Sequence, residues 1–410
     1  RAIFPVAVTA DLYEAACHHG LFSSSFVSPF LALTGITAER GDGFWRSTPF
    51  EAARKLLKTP ALHRKFATLN GEAALTVVKT LARTPHDPEP WDRLWLDAAV
   101  RHPLRDPWWD ERDLTGLLAN VDIPVYLGCD WQNVPLHLPS TFTAWQHLTN
   151  SPCVRIGMLD EFGLTWPWES LHVEALAWFD HWLKRQDTGI LDGPPVRYVL
   201  PGEGQWHDSE TWPPSCSFTE LALRTDGALA VEEGPAGSRD LLVLGSGLNR
   251  PKASPIDPPS QLTWTSAPLP DDLDVVGEIE LRLVAAATAI DTAWIATLSD
   301  VAPDGTRTPV TAGWLRASLR EVDERASRTG APVLPCRRAA AVPIGDDVEY
   351  RIPLVPNARR FAVGHRIELT LSSDDQNPET PAIMNFRHAS VGTSSINTVL
   401  SSSRLVLPIG

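Results

Sequence analysis

Residues 123–129 read Ile-Pro-Val-Tyr-Leu-Gly-Cys, and residues 154–158 read Val-Arg-Ile-Gly-Met. Each stretch is a short, largely apolar run of the length expected for a buried strand. Helical patterns follow both runs, over residues 140–148 and residues 167–185. Strand, helix, strand and helix with short connections predict a mostly parallel α/β sheet.

The same pattern continues on both sides of this stretch. Residues 2–9 form another candidate buried strand, Ala-Ile-Phe-Pro-Val-Ala-Val-Thr, and residues 195–200 form a further one. The hundred-odd residues after the first strand have helical rather than strand character. We therefore expect residues 1–10 and 120–212 to form a parallel α/β core and residues 11–119 to be a helical insertion.

The chain changes character after residue 212. Helical patterns stop, and short alternating strands appear between Gly, Pro and Asp turns. Examples of strict alternation are Glu278-Ile-Glu-Leu-Arg-Leu-Val and Arg366-Ile-Glu-Leu-Thr-Leu. This pattern predicts that residues 213–410 form an all-β domain, a jelly-roll sandwich.

Composition and charge exclude several classes of function. The formal net charge of −14 argues against binding to nucleic acids or to anionic membrane surfaces. No apolar run approaches the roughly 20 residues of a membrane span. The five cysteines form no CxxC pair or disulfide framework, which constrains the cellular compartment only weakly, and no HExxH motif is present. We expect no metal and no cofactor, and we expect a cytoplasmic location.

Five segments of the first half, in this order, resemble the branch of α/β hydrolases that holds cocaine esterase, X-prolyl dipeptidyl peptidases and α-amino-acid ester hydrolases. They are Ala2-Ile-Phe-Pro-Val-Ala-Val-Thr-Ala-Asp-Leu-Tyr, His102-Pro-Leu-Arg-Asp-Pro-Trp-Trp, Pro124-Val-Tyr-Leu-Gly-Cys-Asp-Trp, Glu174-Ala-Leu-Ala-Trp-Phe-Asp-His-Trp-Leu-Lys and Pro194-Pro-Val-Arg-Tyr-Val-Leu-Pro. The resemblance implies that residues 1–10 and 120–212 are part of an α/β-hydrolase core and that residues 11–119 are its cap.

The second half resembles the same family's C-terminal sandwich. The matching segments are Leu262-Thr-Trp-Thr-Ser-Ala-Pro-Leu, Asp291-Thr-Ala-Trp-Ile-Ala-Thr-Leu-Ser-Asp-Val, Gly313-Trp-Leu-Arg-Ala-Ser-Leu-Arg and Gly364-His-Arg-Ile-Glu-Leu. The resemblance implies a serine hydrolase that cleaves an ester or amide of a small-molecule acyl substrate through an acyl-enzyme. It leaves open whether the protein is a homo-oligomer.

The catalytic serine of such enzymes sits on a tight strand-to-helix turn, written G-x-S-x-G. No such motif occurs in these 410 residues. The resemblance places the nucleophile upstream of residue 1, and the chain reads as beginning in the middle of a protein. The acid is expected at Asp130, which ends the strand of residues 123–129, although the family more often has Gly-Trp-Tyr-Asp there. The alternative is that Asp130 caps the following turn.

The histidine departs further from the family pattern. The turn after residues 154–158 is expected to carry it but reads Gly157-Met-Leu-Asp-Glu-Phe-Gly. His172, at the start of the next helix, is the first candidate, and His137 is the second. Because His172 shares a helical stripe with Leu176 and Phe179, a buried core histidine is an equal alternative. A third alternative is that this lineage has lost the histidine and with it hydrolysis.

Three further residues are candidates for binding substrate: His18, His19 and Trp131. The two adjacent histidines enter the cap, where residues often line a pocket. Trp131 follows the candidate acid. Two other functions stay open: a catalytically silent or repurposed hydrolase scaffold that binds a ligand or catalyses a non-hydrolytic step, and, with less support, a carbohydrate-binding module.

Overall fold

The computed structural model of the chain describes residues 1–28, 30–31, 91–160, 171–245, 257–375 and 386–410. Most of the predicted cap, including the helical stretches after Glu51 and after Asn70, lies outside these residues. The predicted boundaries of core, cap and sandwich therefore stay predictions. The fold class is confirmed, since a mixed parallel sheet with helices precedes an antiparallel β domain.

A four-stranded sheet forms the core of the first half. Its strands are β3 (Val125–Asp130), β4 (Val154–Leu159), β5 (Val196–Leu200) and β6 (Gln205–Ser209), in that spatial order. The first three strands run parallel, and β6 returns antiparallel to β5. β3 is buried along its whole length, as expected for a strand covered on both faces.

The predicted first strand lies beside β3. Ile3 and Val6 form parallel bridges with Val125 and Gly128. Pro5 has no N–H to donate, which keeps this segment from forming a continuous ladder. All four predicted strands thus lie in one sheet, in chain order.

The helices of this half start close to where the sequence places them. The helix predicted at residues 140–148 spans residues 137–147, and the helix predicted at residues 167–185 covers residues 172–184, with residues 161–170 outside the described part. The labelled helices are α1 (Leu12–Ala16), α2 (Trp91–Leu96), α3 (Pro107–Asp110), α4 (His137–His147) and α5 (His172–Lys184). A short hairpin follows α1; its strands, β1 (Cys17–His18) and β2 (Leu21–Phe22), have two residues each.

Helix α5 turns a different face inward from the one predicted. Trp178 is fully buried, and its Nε1 donates a hydrogen bond to the carbonyl of Ile3 at 3.0 Å. Leu176 is 61% exposed and His172 is also exposed. The alternative of a buried core histidine at residue 172 is therefore wrong, because the indole of Trp178 occupies the sheet-facing side.

The second half is one large antiparallel sheet of eleven strands. The strands are β7 (Ser217–Leu223), β8 (Leu229–Ala230), β9 (Ser238–Val243), β10 (Gln261–Thr265), β11 (Leu273–Ala287), β12 (Ala293–Val301), β13 (Arg307–Arg316), β14 (Val348–Phe361), β15 (Arg366–Ser372), β16 (Ser395–Leu400) and β17 (Arg404–Ile409). The main path of the sheet runs β10-β15-β12-β13-β14-β11-β17-β7-β8, and β16 joins β11 to β9. Among the described residues of this half, the helical element is a single 3-10 turn, Ala317–Leu319.

The two halves share a hydrophobic cluster. It contains Leu127 and Ile156 of the parallel sheet together with Ile295 and Trp314 of the β domain. A core that spans the junction holds the carboxyl end of β3 against the β domain, which positions the loop after Asp130. Among the described helices, none is both long and apolar enough to cross a membrane.

Candidate active site

Asp130 ends β3 and is completely buried. Its Oδ2 accepts a hydrogen bond from Asn133 Nδ2 at 2.8 Å, and its Oδ1 accepts one from the backbone N–H of Gln132 at 2.9 Å. The carboxyl end of a parallel strand is where α/β folds assemble their sites. The structure therefore puts the predicted acid at the expected edge, held by its own loop.

Burial raises the pKa of Asp130 to about 6, and the hydrogen bonds from Asn133 and Gln132 oppose that rise in part. An acid with a pKa near 6 exchanges its proton close to neutral pH. Such a group is suited to general acid–base chemistry or to orienting an imidazole.

His172 begins α5 and lies at the same edge of the sheet. Leu171, the residue before it, packs so closely over Gly128 that a Cβ there would approach Leu171 Cδ1 to 2.8 Å. Gly128 and Asp130 lie two residues apart on β3, so they share one face of the sheet. The described hydrogen bonds of Asp130 nevertheless include no histidine, and the expected bond from Asp130 to His172 is not formed.

His137, the second candidate, starts α4 and points back to the first strand. Its Nδ1 lies 3.1 Å from the carbonyl of Val8 and 3.0 Å from Thr9 Oγ1. Because a carbonyl only accepts, Nδ1 carries the proton in the Val8 bond. Burial lowers the pKa of His137, so the ring is neutral at neutral pH.

His18 belongs to a buried network that sequence reasoning missed. Its Nδ1 lies 2.6 Å from Nε2 of His388, and His388 Nδ1 lies 2.7 Å from Asp375 Oδ2. On its other side, His18 Nε2 bonds the carbonyl of Pro135 at 2.5 Å, five residues after Asp130. Burial and the neighbouring His388 hold the pKa of His18 well below its usual range.

The sequence carries no local signal for this network. Asp375 and His388 are thirteen residues apart, and both are more than 350 residues from His18. They meet because residues 387–389, in the segment after β15, pack against the β1–β2 hairpin and the residues that follow it: the amide of Ala389 donates a hydrogen bond to the carbonyl of Phe22 at 2.8 Å. A pairing of this kind depends on the tertiary fold alone.

His19 faces a cavity instead. Its Nδ1–H donates to the carbonyl of Trp314 at 3.1 Å, so Nε2 presents a lone pair. Burial lowers its pKa to about 4, which keeps the ring neutral. The backbone of His19 is left-handed, with φ of +44°. A non-glycine residue rarely adopts this conformation, and such residues concentrate at functional sites.

The cavity has two adjoining lobes of about 240 and 400 Å³, which share His19 and Glu14. Burial and the neighbouring Asp11 raise the pKa of Glu14 to about 7. Arg105 lines the larger lobe and forms ion pairs with Asp11, at 2.7 Å, and with Asp113. The lobes thus combine a neutral imidazole, a carboxyl group with a near-neutral pKa and a paired guanidinium.

Trp131 lies in the hydrophobic core. It is 1% exposed, and its Nε1 donates to the carbonyl of Val199 at 2.7 Å. The indole packs against Phe142, Tyr198 and Trp212. Across the ranges that the structure covers, no cluster of three or more His, Cys, Asp or Glu residues could hold a metal ion.

Two family models match consecutive parts of the chain. The X-Pro dipeptidyl-peptidase (S15 family) model matches residues 1–164, and the X-Pro dipeptidyl-peptidase C-terminal non-catalytic domain matches residues 188–382. The chain belongs to the family of X-Pro dipeptidyl-peptidases and cocaine esterases. The resemblance inferred from sequence is therefore confirmed.

Comparison with individual proteins points to the same family. Cocaine esterase of Rhodococcus sp. (strain MB1 Bresler) is 26% identical over 470 residues, which cover 100% of this chain and 76% of that protein. Relatives from Mycobacterium bovis and Mycobacterium tuberculosis are 30% identical over 231 residues, 49% of this chain. The match spans 36% of the length of these two mycobacterial proteins.

Solved structures share the fold. A CocE/NonD family hydrolase from Staphylococcus aureus superimposes with a TM-score of 0.73 at 18% identity, over 100% of this chain and 67% of that one. An aminopeptidase from a marine sediment archaeon, Thaumarchaeota archaeon, gives 0.67 at 18% identity, over 100% of this chain and 72% of that one. The parallel sheet and the β domain thus adopt the architecture of these solved structures.

Proposed function

We propose that this chain forms the larger part of a serine hydrolase that cleaves an ester or amide of a small acyl substrate through an acyl-enzyme. The nucleophilic serine would come from a segment upstream of residue 1. The observation that carries the proposal is Asp130, a buried carboxyl at the carboxyl end of β3 with its pKa raised to about 6. The family of the chain supports the same reaction class.

In this proposal Asp130 orients His172, and His172 takes the proton of the serine and returns it to the leaving group. The packing of Leu171 over Gly128 supports this pairing, because it brings the start of α5 to the strand that carries Asp130. Forming the bond requires Asp130 to exchange its contact with Asn133 for the imidazole. Catalytic hydrogen bonds often tighten only when substrate binds.

The three candidate substrate-binding residues lie in different surroundings, which fit different roles. His19 lines the cavity between α1 and the β domain, so a role in contacting substrate fits its place. The nitrogens of His18 are both engaged, and Trp131 is enclosed by aromatic rings. For His18 and Trp131, a role in positioning neighbouring groups fits better than direct contact with substrate. A cytoplasmic location stays a prediction.

A second candidate function is a repurposed scaffold that binds a ligand without hydrolysing it. Two observations favour it. The described hydrogen bonds of the Asp130 carboxyl come from Asn133 and Gln132 rather than from a histidine. The turn after β4, which carries the histidine in the family pattern, has no histidine in this sequence.

A fluorophosphonate probe, which labels an activated serine, separates the two functions. We expect the chain extended by its natural upstream sequence to be labelled and to hydrolyse p-nitrophenyl esters, and the 410-residue chain alone to be unlabelled. His172→Ala should lower kcat of the extended chain by about a thousandfold or more. The control is His207→Ala, at a partly exposed histidine of β6 paired with Glu203.

The outcomes are distinct. An extended chain that stays unlabelled contradicts the hydrolase and supports the scaffold. Labelling of the 410-residue chain contradicts the upstream position of the nucleophile. Labelling with kcat unaffected by His172→Ala removes His172 from the mechanism and leaves the hydrolase in place.

A further inference from the structure

The cavity between α1, α4 and the β domain is lined by polar groups that lack partners. The carboxyl of Glu14 lines both lobes and forms no hydrogen bond or ion pair with another described residue. His19 also lines both lobes, and its Nε2 lone pair has no described partner. Tyr13 lines the larger lobe and is 3% exposed, and its hydroxyl has no hydrogen-bond partner among the described residues. Because polar groups withdrawn from bulk water are normally paired, three unpaired ones around one cavity indicate a ligand that supplies the partners.

The larger lobe carries more negative than positive charge. Its lining includes the carboxyl groups of Asp11, Asp113 and Glu14. Arg105 pairs with Asp11, at 2.7 Å, and with Asp113, so its charge is shared between those two carboxylates. Glu14 has no counter-charge of its own, and burial together with Asp11 raises its pKa to about 7. A ligand that brings positive charge and N–H donors therefore complements Glu14 and the neutral ring of His19.

The other titratable and charged groups around the two lobes leave this balance unchanged. Burial raises the pKa of three further groups in the larger lobe, which are uncharged at neutral pH: Tyr13, Cys17 and Cys336. In the smaller lobe, Arg328 Nε donates to Glu278 Oε2 at 2.9 Å, and the two charges compensate each other. His147 is exposed at the edge of the larger lobe, and its Nδ1–H donates to the carbonyl of Thr143.

The smaller lobe is mostly apolar. Phe142 and Trp212 of the first half and Leu354 of β14 line it. Its volume is about 240 Å³, whereas an apolar cavity of about 150 Å³ is enough to hold benzene. Since both lobes share Glu14 and His19, one ligand can place a charged head against these two side chains and an apolar ring in the smaller lobe.

The cavity lies away from the carboxyl edge of the sheet, where Asp130 ends β3. Helix α4 starts at that edge, since the N–H of His137 bonds the carbonyl of Asn133. Thr143 and His147 line the cavity further along the same helix. Six to ten residues separate them from His137, which corresponds to about 9–15 Å along an α-helix. A ligand head bound there is held away from the proposed catalytic acid.

We propose that this cavity binds a small organic cation whose head carries at least two N–H donors and whose body is apolar: a primary ammonium or a guanidinium compound. The head donates to the Glu14 carboxylate and to His19 Nε2, and the body occupies the smaller lobe. A tertiary ammonium has a single N–H and cannot serve both acceptors. The inference does not rest on the proposed hydrolase activity, because the cation is bound and not cleaved.

The test is a ligand-observed NMR titration of the 410-residue chain with compounds that share one ring and differ in the head. Benzylamine and benzylguanidine carry the two proposed heads. N,N-dimethylbenzylamine keeps the charge with one N–H, and benzyl alcohol has no charge. We expect the first two to bind with a Kd of about 1 mM or tighter, the tertiary amine at least about tenfold more weakly and the alcohol more weakly still.

Glu14→Gln removes the charge while keeping the shape of the side chain. We expect it to weaken the binding of benzylamine at least about tenfold at about pH 8. Benzylamine stays charged between about pH 6 and pH 8, whereas Glu14, with a pKa of about 7, loses its charge as the pH falls. The affinity of the unmodified chain should therefore fall about tenfold from pH 8 to pH 6, and that of Glu14→Gln should not change.

The matched control is Glu349→Gln, which removes the same charge from an exposed position of β14 outside the cavity. It should bind benzylamine like the unmodified chain. Circular dichroism of both variants checks that the fold is kept. No binding of benzylamine or benzylguanidine up to about 10 mM overturns the proposal. Equal binding of benzyl alcohol or of the tertiary amine, or an affinity that Glu14→Gln leaves unchanged, also contradicts it, while a failure of ester hydrolysis leaves it untouched.

Discussion

At the scale of single residues, Asp130 illustrates how a buried carboxyl group, here the proposed catalytic acid, costs stability. The carboxylate is withdrawn from water, and two hydrogen bonds from its own loop compensate only part of that loss. The residue therefore opposes folding whenever it is charged. Natural proteins tolerate such positions where activity requires them.

Asp130→Asn should raise the free energy of unfolding by about 1–3 kcal/mol at about pH 8, since one pKa unit corresponds to about 1.4 kcal/mol. The pKa of Asp130 in the folded protein, about 6, lies above the ordinary value of 3.8. The loss of stability caused by the charged Asp130 carboxylate is therefore absent below about pH 4, grows up to about pH 6 and then stays constant. Asparagine never acquires the charge. Denaturant unfolding of both proteins at about pH 4 and pH 8 measures the difference.

Asp304→Asn is the matched control. The N–H of Thr306 bonds the Asp304 carboxylate and lowers its pKa, which is the opposite shift. This variant should gain no stability at about pH 8. A loss of stability in Asp130→Asn at that pH would mean that the carboxylate makes a contact that an amide cannot replace.

The sequence predicted the place of Asp130 but not its partners. A carboxylate at the end of an apolar strand is a local pattern, and the strand formed as expected. The hydrogen bonds of Asp130 come from Gln132 and Asn133 in its own loop, whereas the pairing of His388 with His18 joins residues that are distant in the chain. The partners of a buried side chain such as His18 are set by tertiary packing, which a local pattern does not encode.

At the scale of elements, the alternation of apolar and polar residues predicted where strands form but not which strands pair with each other. β13 and β14 pair through one register position, Gly313 with Leu354. A Cβ on Gly313 would overlap the carbonyl of Pro353 and approach Leu354 Cα to 3.0 Å. The sheet continues from β13 to β14 because this residue has no side chain.

Gly313→Ala should therefore lower the free energy of unfolding by about 1–3 kcal/mol, the usual cost of inserting a methyl group where backbone has no room. Denaturant unfolding measures the change. Gly116→Ala is the control, because a Cβ there meets nothing within 4 Å and Gly116 lies in a 3-10 helix. That variant should be neutral or slightly stabilising. Equal losses in the two variants would contradict the steric explanation.

At the scale of the whole molecule, the two halves are held together by buried polar contacts as well as by apolar packing. Asn357 of β14 is 2% exposed, and its Nδ2 donates to the carbonyl of Trp131 at 3.1 Å. Arg360, on the same strand, pairs with Glu203 of the first half at 2.6 Å. The family resemblance predicted that a β domain follows the hydrolase core, whereas these contacts required the structure.

Asn357→Leu should lower the free energy of unfolding by about 1–3 kcal/mol, because it leaves the buried carbonyl of Trp131 without its donor. Since this bond crosses between the halves, we also expect the two halves of the variant to unfold in separate transitions. Near-UV and far-UV circular dichroism would then no longer give coincident unfolding curves. Asn150→Leu is the matched control: its Nδ2 also donates to a backbone carbonyl, that of Ala119 at 2.7 Å, but at an exposed position where water replaces the bond. That change should stay within about 0.5 kcal/mol. If both variants lose the same stability, or if the Asn357 variant keeps coincident transitions, then apolar packing alone couples the two halves.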